Sequence, residues 1–277
     1  MIQVDSHHHV WRVARGDYGW LTPDLPIYRD YMLDDLRPLL GEITATVLVQ
    51  AAPTEAETAF MLTVARDSRG VVRGVVGWTD LAAPNAAARV VDLARAPELK
   101  GLRPMLQGIA DTDWILRPAA QPALVAMTQC GLRFDALIKP HHLPNLLSLA
   151  ARHPRLPIVI DHAAKPAIAY GAFDPWADDI ARVARETGAH CKLSGLVSEA
   201  VPHWQHDDLR RTTDHLIACF GPARLMWGSD WPVVELAGGY TRWRAATDHL
   251  LAGLDVPGRD AILGGTACIF YGLGEAA

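Results

Sequence analysis

Eight short β-rich runs, with helical patterns between most of them, predict an α/β chain: a single-domain (β/α)8 barrel of the TIM type, somewhat distorted. Strand alternating with helix implies a parallel sheet with helices outside it. At 277 residues the chain has the length of one such barrel. An open, doubly wound sheet is the weaker alternative, because no dinucleotide-binding glycine fingerprint follows the first strand.

The first run, Ile2–His9, ends in three consecutive histidines. Side chains alternate faces along a strand, so Asp5, His7 and His9 share one face and His8 takes the other. The segment 10–33 is too long for an ordinary βα connection. Its Trp11, Tyr18, Trp20, Tyr28 and Tyr31, with Pro23 and Pro26, mark a loop that builds a pocket wall, or packs over the barrel end, or both. Thr44–Gln50 is the second strand. Thr54–Asp67 follows as a helix, with Thr54 as N-cap and Glu57 completing a capping box. Strands three to five are Val71–Thr79, Lys100–Leu106 and Leu132–Ile138, separated by helices over Asn85–Ala94 and Gln121–Gln129. Leu143–Arg152 leads into the sixth strand, Pro157–His162, and Pro175–Glu186 into the seventh, His190–Ser194. Asp207–Phe220 precedes the eighth, Arg224–Asp230, and helices at Tyr240–Leu251 and near Gly258–Phe270 follow.

Half of the residues are hydrophobic (50%), which supplies a sizeable core. A net charge of −5 and the absence of a basic run argue against a nucleic-acid partner. No apolar stretch reaches membrane-spanning length. The opening Met-Ile-Gln-Val-Asp-Ser lacks the charged and apolar regions of a signal peptide. Cys130, Cys191, Cys219 and Cys268 form no C-x-x-C pair and read as buried free thiols. The expectation is a cytoplasmic protein acting on a small molecule, with homo-oligomerisation left open.

Active sites of such barrels lie on the C-terminal strand ends and the loops after them. Those ends carry His7 and His9 on strand one, Arg103 on strand four with Gln107 after it, and Asp135 on strand five with His142 beyond it. They also carry His162 on strand six with Lys165 after it, Lys192 on strand seven and Asp230 on strand eight. His7, His9, His162 and Asp230 suit one divalent ion of the Zn²⁺ or Mn²⁺ kind. Equally, Asp230 could act alone as general base, with the histidines bonding the substrate. Arg103 offers a rigid donor fork to substrate or forms a salt bridge at the barrel rim. Lys165, Gln107, His142 and Trp20 are further substrate-binding candidates, with Lys192 and Trp231 behind them.

The segments Asp5-Ser6-His7-His8-His9-Val10-Trp11, Asp161-His162-Ala163-Ala164-Lys165-Pro166 and Trp227-Gly228-Ser229-Asp230-Trp231-Pro232 carry a resemblance. With Asp17-Tyr18-Gly19-Trp20-Leu21, Gly101-Leu102-Arg103-Pro104 and Lys192-Leu193-Ser194-Gly195, they resemble the sugar-lactonase branch of the amidohydrolase superfamily over essentially the whole chain. That resemblance implies a (β/α)8 barrel and hydrolysis of a sugar-acid lactone, an L-fuconolactone-like ring, to its hydroxy acid. It maps a metal-binding pattern onto His7, His9, His162 and Asp230. Two departures stand out. Arg103 occupies the position of the bridging strand-four ligand, and Asp135 that of the strand-five histidine. A binuclear centre is therefore not expected; one metal ion remains, or none. Asp230 is the expected water-activating base, with His162 beside it. A metal-dependent decarboxylase of the same superfamily and a lactone isomerase are the competing activities.

Overall fold

The computed structural model describes residues 2–274. Strands β1 (Gln3–His8), β2 (Ile43–Val49), β3 (Val72–Gly77), β4 (Leu99–Leu102), β5 (Arg133–Ala136), β6 (Ile158–Ile160), β7 (His190–Leu193) and β8 (Leu225–Trp227) form one sheet in chain order. Each pairs in parallel with the next. All eight expected strands are present, but several stop early. β4 ends before Arg103-Pro104, where proline has no N–H for a ladder. β6 ends at Ile160 and β8 at Trp227, because the chain turns sharply just beyond each.

Side chains close the barrel between β8 and β1. Ser6 Oγ donates to the Trp227 carbonyl at 2.6 Å. Asp5 Oδ1 accepts from the Ser229 N–H at 2.8 Å and the His7 N–H at 3.2 Å. Above them the Asp230 N–H donates to the His7 carbonyl (2.8 Å), and the His9 N–H to that of Trp231 (2.6 Å). The Asp5 carboxylate and these short polar side chains stand in for a regular ladder at this junction. Burial pushes the Asp5 carboxyl up to about 7, although its partners at Ser229 and His7 pull the other way.

Helices cover the outside of the sheet, each burying one face. In Asp174–Glu186 the buried residues are Trp176, Ala177, Ile180, Val183 and Ala184, the spacing of a helical stripe. A second, inner core holds Val4, Val47, Val76, Val159 and Met226 from the strands together with Phe270 and Tyr271. The expected last helix is broken into Val256–Asp260, a π-turn Ala261–Gly265 and Thr266–Tyr271. Its final turn thereby brings Tyr271 into the barrel interior.

Two expectations need correction. Thr54 does cap Glu55–Asp67, accepting the Glu57 N–H at 3.1 Å. The Glu57 carboxylate does not complete a capping box. It accepts instead from the Ala51 and Ala52 amides, at 3.0 and 2.6 Å, which the end of β2 leaves unpaired. The four cysteines are free, yet only Cys191 is fully buried.

The distortion lies between β1 and β2. A four-residue helix, Leu33–Leu36, stands where a full barrel helix would. The loop before it packs on itself: Trp11 Nε1 donates to the Arg29 carbonyl (2.7 Å), and Trp11 meets Trp20 and Tyr31 edge-on.

Candidate active site

Three imidazoles converge on one carboxylate oxygen at the C-terminal end of the barrel. Asp230 Oδ1 lies 3.3 Å from His9 Nε2, 3.7 Å from His7 Nε2 and 3.8 Å from His162 Nε2. Strand parity brings His7 and His9 together, with ring centroids 5.0 Å apart. His8 turns away and pairs with Thr46 Oγ1 at 2.9 Å, as alternation requires. Backbone close approach also matters. A Cβ on Gly228 would lie 2.7 Å from the His7 Cβ, and one on Gly195 would lie 2.5 Å from His162 Nδ1. Only glycine leaves those two rings in place.

His162 reaches the site by an unusual route. His162, Ala163, Ala164 and Lys165 all have left-handed backbone, with φ of 52°, 51°, 59° and 55°. Each such residue costs about 1–2 kcal/mol without glycine. The turn is held by the Lys165 N–H donating to the His162 carbonyl (2.8 Å) and by Trp176 Nε1 donating to the Ala163 carbonyl (2.7 Å). In an extended strand Asp161 and His162 would face opposite sides. The left-handed turn sends both into the barrel, where Asp161 reaches His7 and His162 reaches Asp230.

Below His7 lies a closed network of charge. Lys192 Nζ is 2.6 Å from Asp135 Oδ2, 3.0 Å from Asp161 Oδ1 and 3.2 Å from His7 Nδ1. Arg103 Nη1 donates to Asp161 Oδ2 at 3.1 Å, and Nη2 to the Gln50 carbonyl. Tyr271 Oη donates to Asp135 at 2.6 Å. Two carboxylates and two cations balance within this dry layer, as buried charge requires.

These surroundings set the ionisation of the site. Burial raises the Asp230 carboxyl, but His162, the His9 hydrogen bond and His7 outweigh it and hold it well below the usual carboxylate range. Asp161 is held low in the same way, by Lys192 and then His7, against its burial. Burial pushes His162 down to about 4, and burial with help from Lys192 holds His7 well below the ordinary imidazole range. Asp230 is thus ionised, and His7 and His162 are neutral, at neutral pH.

Neutral imidazoles beside an ionised carboxylate are what a divalent ion needs. Bonds of about 2 Å in a tetrahedral site separate ligand atoms by about 3.3 Å, close to the His9–Asp230 and His7–Asp230 spacings. His9 Nδ1 donates to the Val49 carbonyl (2.8 Å), which leaves Nε2 directed at Asp230. The donors within mutual reach are His7, His9 and Asp230. His162 belongs to a second grouping with His7 and Asp161, and its Nδ1 lies 2.9 Å from Ser194 Oγ. Of the four expected ligands, three therefore form the compact set and His162 stands beside it.

A cavity of about 790 Å³ opens above these groups, and His9, His162, Asp230, Arg103, Gln107, Lys165 and Trp20 line it. Arg103 lines the cavity and bridges to Asp161 in the buried layer rather than at the barrel rim. Trp20, with Asp17 and Gly19, brings the 10–33 loop to the wall. His142 does not reach the cavity. Its Nδ1 accepts the Lys139 N–H (3.2 Å) at the turn that opens Leu143–Arg152. Lys192 is fully buried under His7, and Trp231 packs on Tyr31, so neither lines the wall. Trp78 and Asp80 from the end of strand three line it too, as does Asp17 of the 10–33 loop; Trp114 lines it with no signal in the sequence.

The amidohydrolase family pattern matches residues 4–273. The chain is 45% identical to an L-fucono-1,5-lactonase of Burkholderia ambifaria, over 97% of this chain and 95% of the relative. It is 37% identical to an L-fucono-1,5-lactonase of Burkholderia multivorans, over 100% and 98% of the two chains. A crystal structure of an amidohydrolase from Burkholderia multivorans with bound zinc superposes with a TM-score of 0.92 at 35% identity, covering 99% of this chain and 100% of the other. Decarboxylases at 13–16% identity share the fold alone. From barrel to strand-end residues, the chain belongs to the amidohydrolase family.

Proposed function

We propose that this chain hydrolyses a sugar 1,5-lactone, of the L-fucono-1,5-lactone kind, to the free hydroxy acid. One observation carries the chemistry: an ionised carboxylate, ringed by three imidazoles, at the floor of a cavity large enough for a sugar ring. Relatives named as L-fucono-1,5-lactonases, at 45% and 37% identity over nearly the whole chain, supply the substrate class.

Asp230 takes a proton from water as its oxygen attacks the lactone carbonyl carbon. The C–O bond to the ring oxygen then breaks, and the proton returns from Asp230 to that oxygen. The hydroxy acid so formed ionises and releases one proton to solution. Holding the carboxyl low keeps Asp230 in its basic form across the neutral range. We assign the Ser194 hydroxyl as the donor to Nδ1, which places the His162 proton on Nε2. That N–H is the donor we assign to the developing negative charge on the carbonyl oxygen. His7, His9 and Asp230, with His162 adjacent, would hold one zinc- or manganese-like ion. Such an ion would polarise the carbonyl as a Lewis acid.

A panel of sugar lactones in weak buffer with a pH indicator, run with and without chelator, tests the reading. Acidification by a 1,5-lactone is the expected result, and its chelator dependence reports on the metal. Loss of lactone without proton release would replace hydrolysis by isomerisation.

A further inference from the structure

The cavity carries a charge pattern that discriminates among lactones. Among the described residues, its two permanent cations are Arg103 and Lys165, and each is paired with a carboxylate. Arg103 is tied to Asp161 and to the Gln50 carbonyl, and its buried Nε has no partner. Lys165 Nζ lies 3.1 Å from Glu199 Oε1, and both side chains are about three-quarters buried. Glu199 does not itself line the cavity. The acids keep acceptor oxygens to spare. Asp17 spends Oδ2 on Arg15 (2.7 Å) and Thr54 (2.8 Å), while its buried Oδ1 has no partner. Asp80 uses Oδ1 to accept the Ala82 N–H at 2.9 Å.

A carboxylate or phosphate on the substrate would lose water and find each cation already paired with a carboxylate, Arg103 with Asp161 and Lys165 with Glu199. Ring hydroxyls fare better, since they donate to Asp17 or Asp80. We infer that the Lys165–Glu199 pair sets the charge selectivity of the cavity. By neutralising Lys165, Glu199 reserves the site for uncharged polyhydroxy lactones and excludes anionic ones. This rests on the lactonase reading above, which it narrows to a substrate class.

The test compares kcat/KM for L-fucono-1,5-lactone with that for the aldaric acid 1,5-lactone of the same stereochemistry, in which a carboxylate replaces the methyl group. Wild type is expected to favour the uncharged ring by about tenfold or more. Glu199→Gln frees Lys165 and should cut that ratio by about tenfold, chiefly through a lower KM for the anionic lactone. Adding Lys165→Met should abolish the gain. Equal wild-type rates on the two lactones, or an unchanged ratio in Glu199→Gln, would overturn the inference while leaving the lactonase reading intact. Failure of wild type on every lactone of the wider panel would overturn that reading and, with it, this inference.

Discussion

The floor of the site and its rim are built on different terms. On the floor, Lys192 and Asp135 on strands, Arg103 and Asp161 just past strand ends, and Tyr271 on the last helix form one chain of paired charges and hydrogen bonds. At the rim, Trp20, Trp78, Asp80 and Trp114 stand on the loops and turns after the strands. The floor fixes where the imidazoles and Asp230 point, and so the chemistry. The rim decides which ring is admitted. Changes on the floor should thus affect rate or folding, and changes on the rim should affect recognition.

The largest expected effect tests the top of the floor. Asp230→Asn removes the base while keeping its shape, and kcat/KM should fall about 10²–10⁴-fold with an unchanged circular dichroism spectrum. Turnover at the wild-type rate would remove Asp230 from the mechanism. One layer lower, Lys192→Met leaves Asp135 and Asp161 with too little positive charge in a dry interior. A loss of about 3–5 kcal/mol in urea unfolding is expected, with partial recovery when Asp135→Asn is added. A loss below 1 kcal/mol would mean the network is wetter than its burial implies.

The smallest expected effect lies at the rim. Trp20 donates to the Ala51 carbonyl (2.8 Å) and presents its ring to the cavity. Trp20→Ala should raise KM about tenfold, the loss of roughly 1–1.5 kcal/mol of ring contact, with kcat nearly unchanged. An equal fall in kcat would erase the distinction between floor and rim.

The same contrast explains what could be read from the residues alone. The period-2 alternation of β1 set His7 and His9 apart from His8, and strand ends located Asp230, because both follow from local backbone geometry. Asp161 escaped because alternation opposes it to His162. Only the left-handed turn, which no local periodicity encodes, brings both inward. Lys192 reads from sequence as a pocket residue, since its partners Asp135, on β5, and Asp161, just past β6, are distant in the chain. His142 was assigned to the substrate by its position after β5, but it closes a helix turn. Trp114 sits in a turn after β4 whose path depends on packing rather than on sequence pattern.

The seam between β8 and β1 also constrains how the protein is made. His9 and Asp230 are 221 positions apart in the chain. A ribosome thus delivers the histidines long before their carboxylate. Until β8 arrives, β1 is the open edge of a growing parallel sheet, a surface on which another chain can pair. Activity appears only when the first and last strands meet. The first detectable turnover therefore doubles as a clock for completion of the barrel.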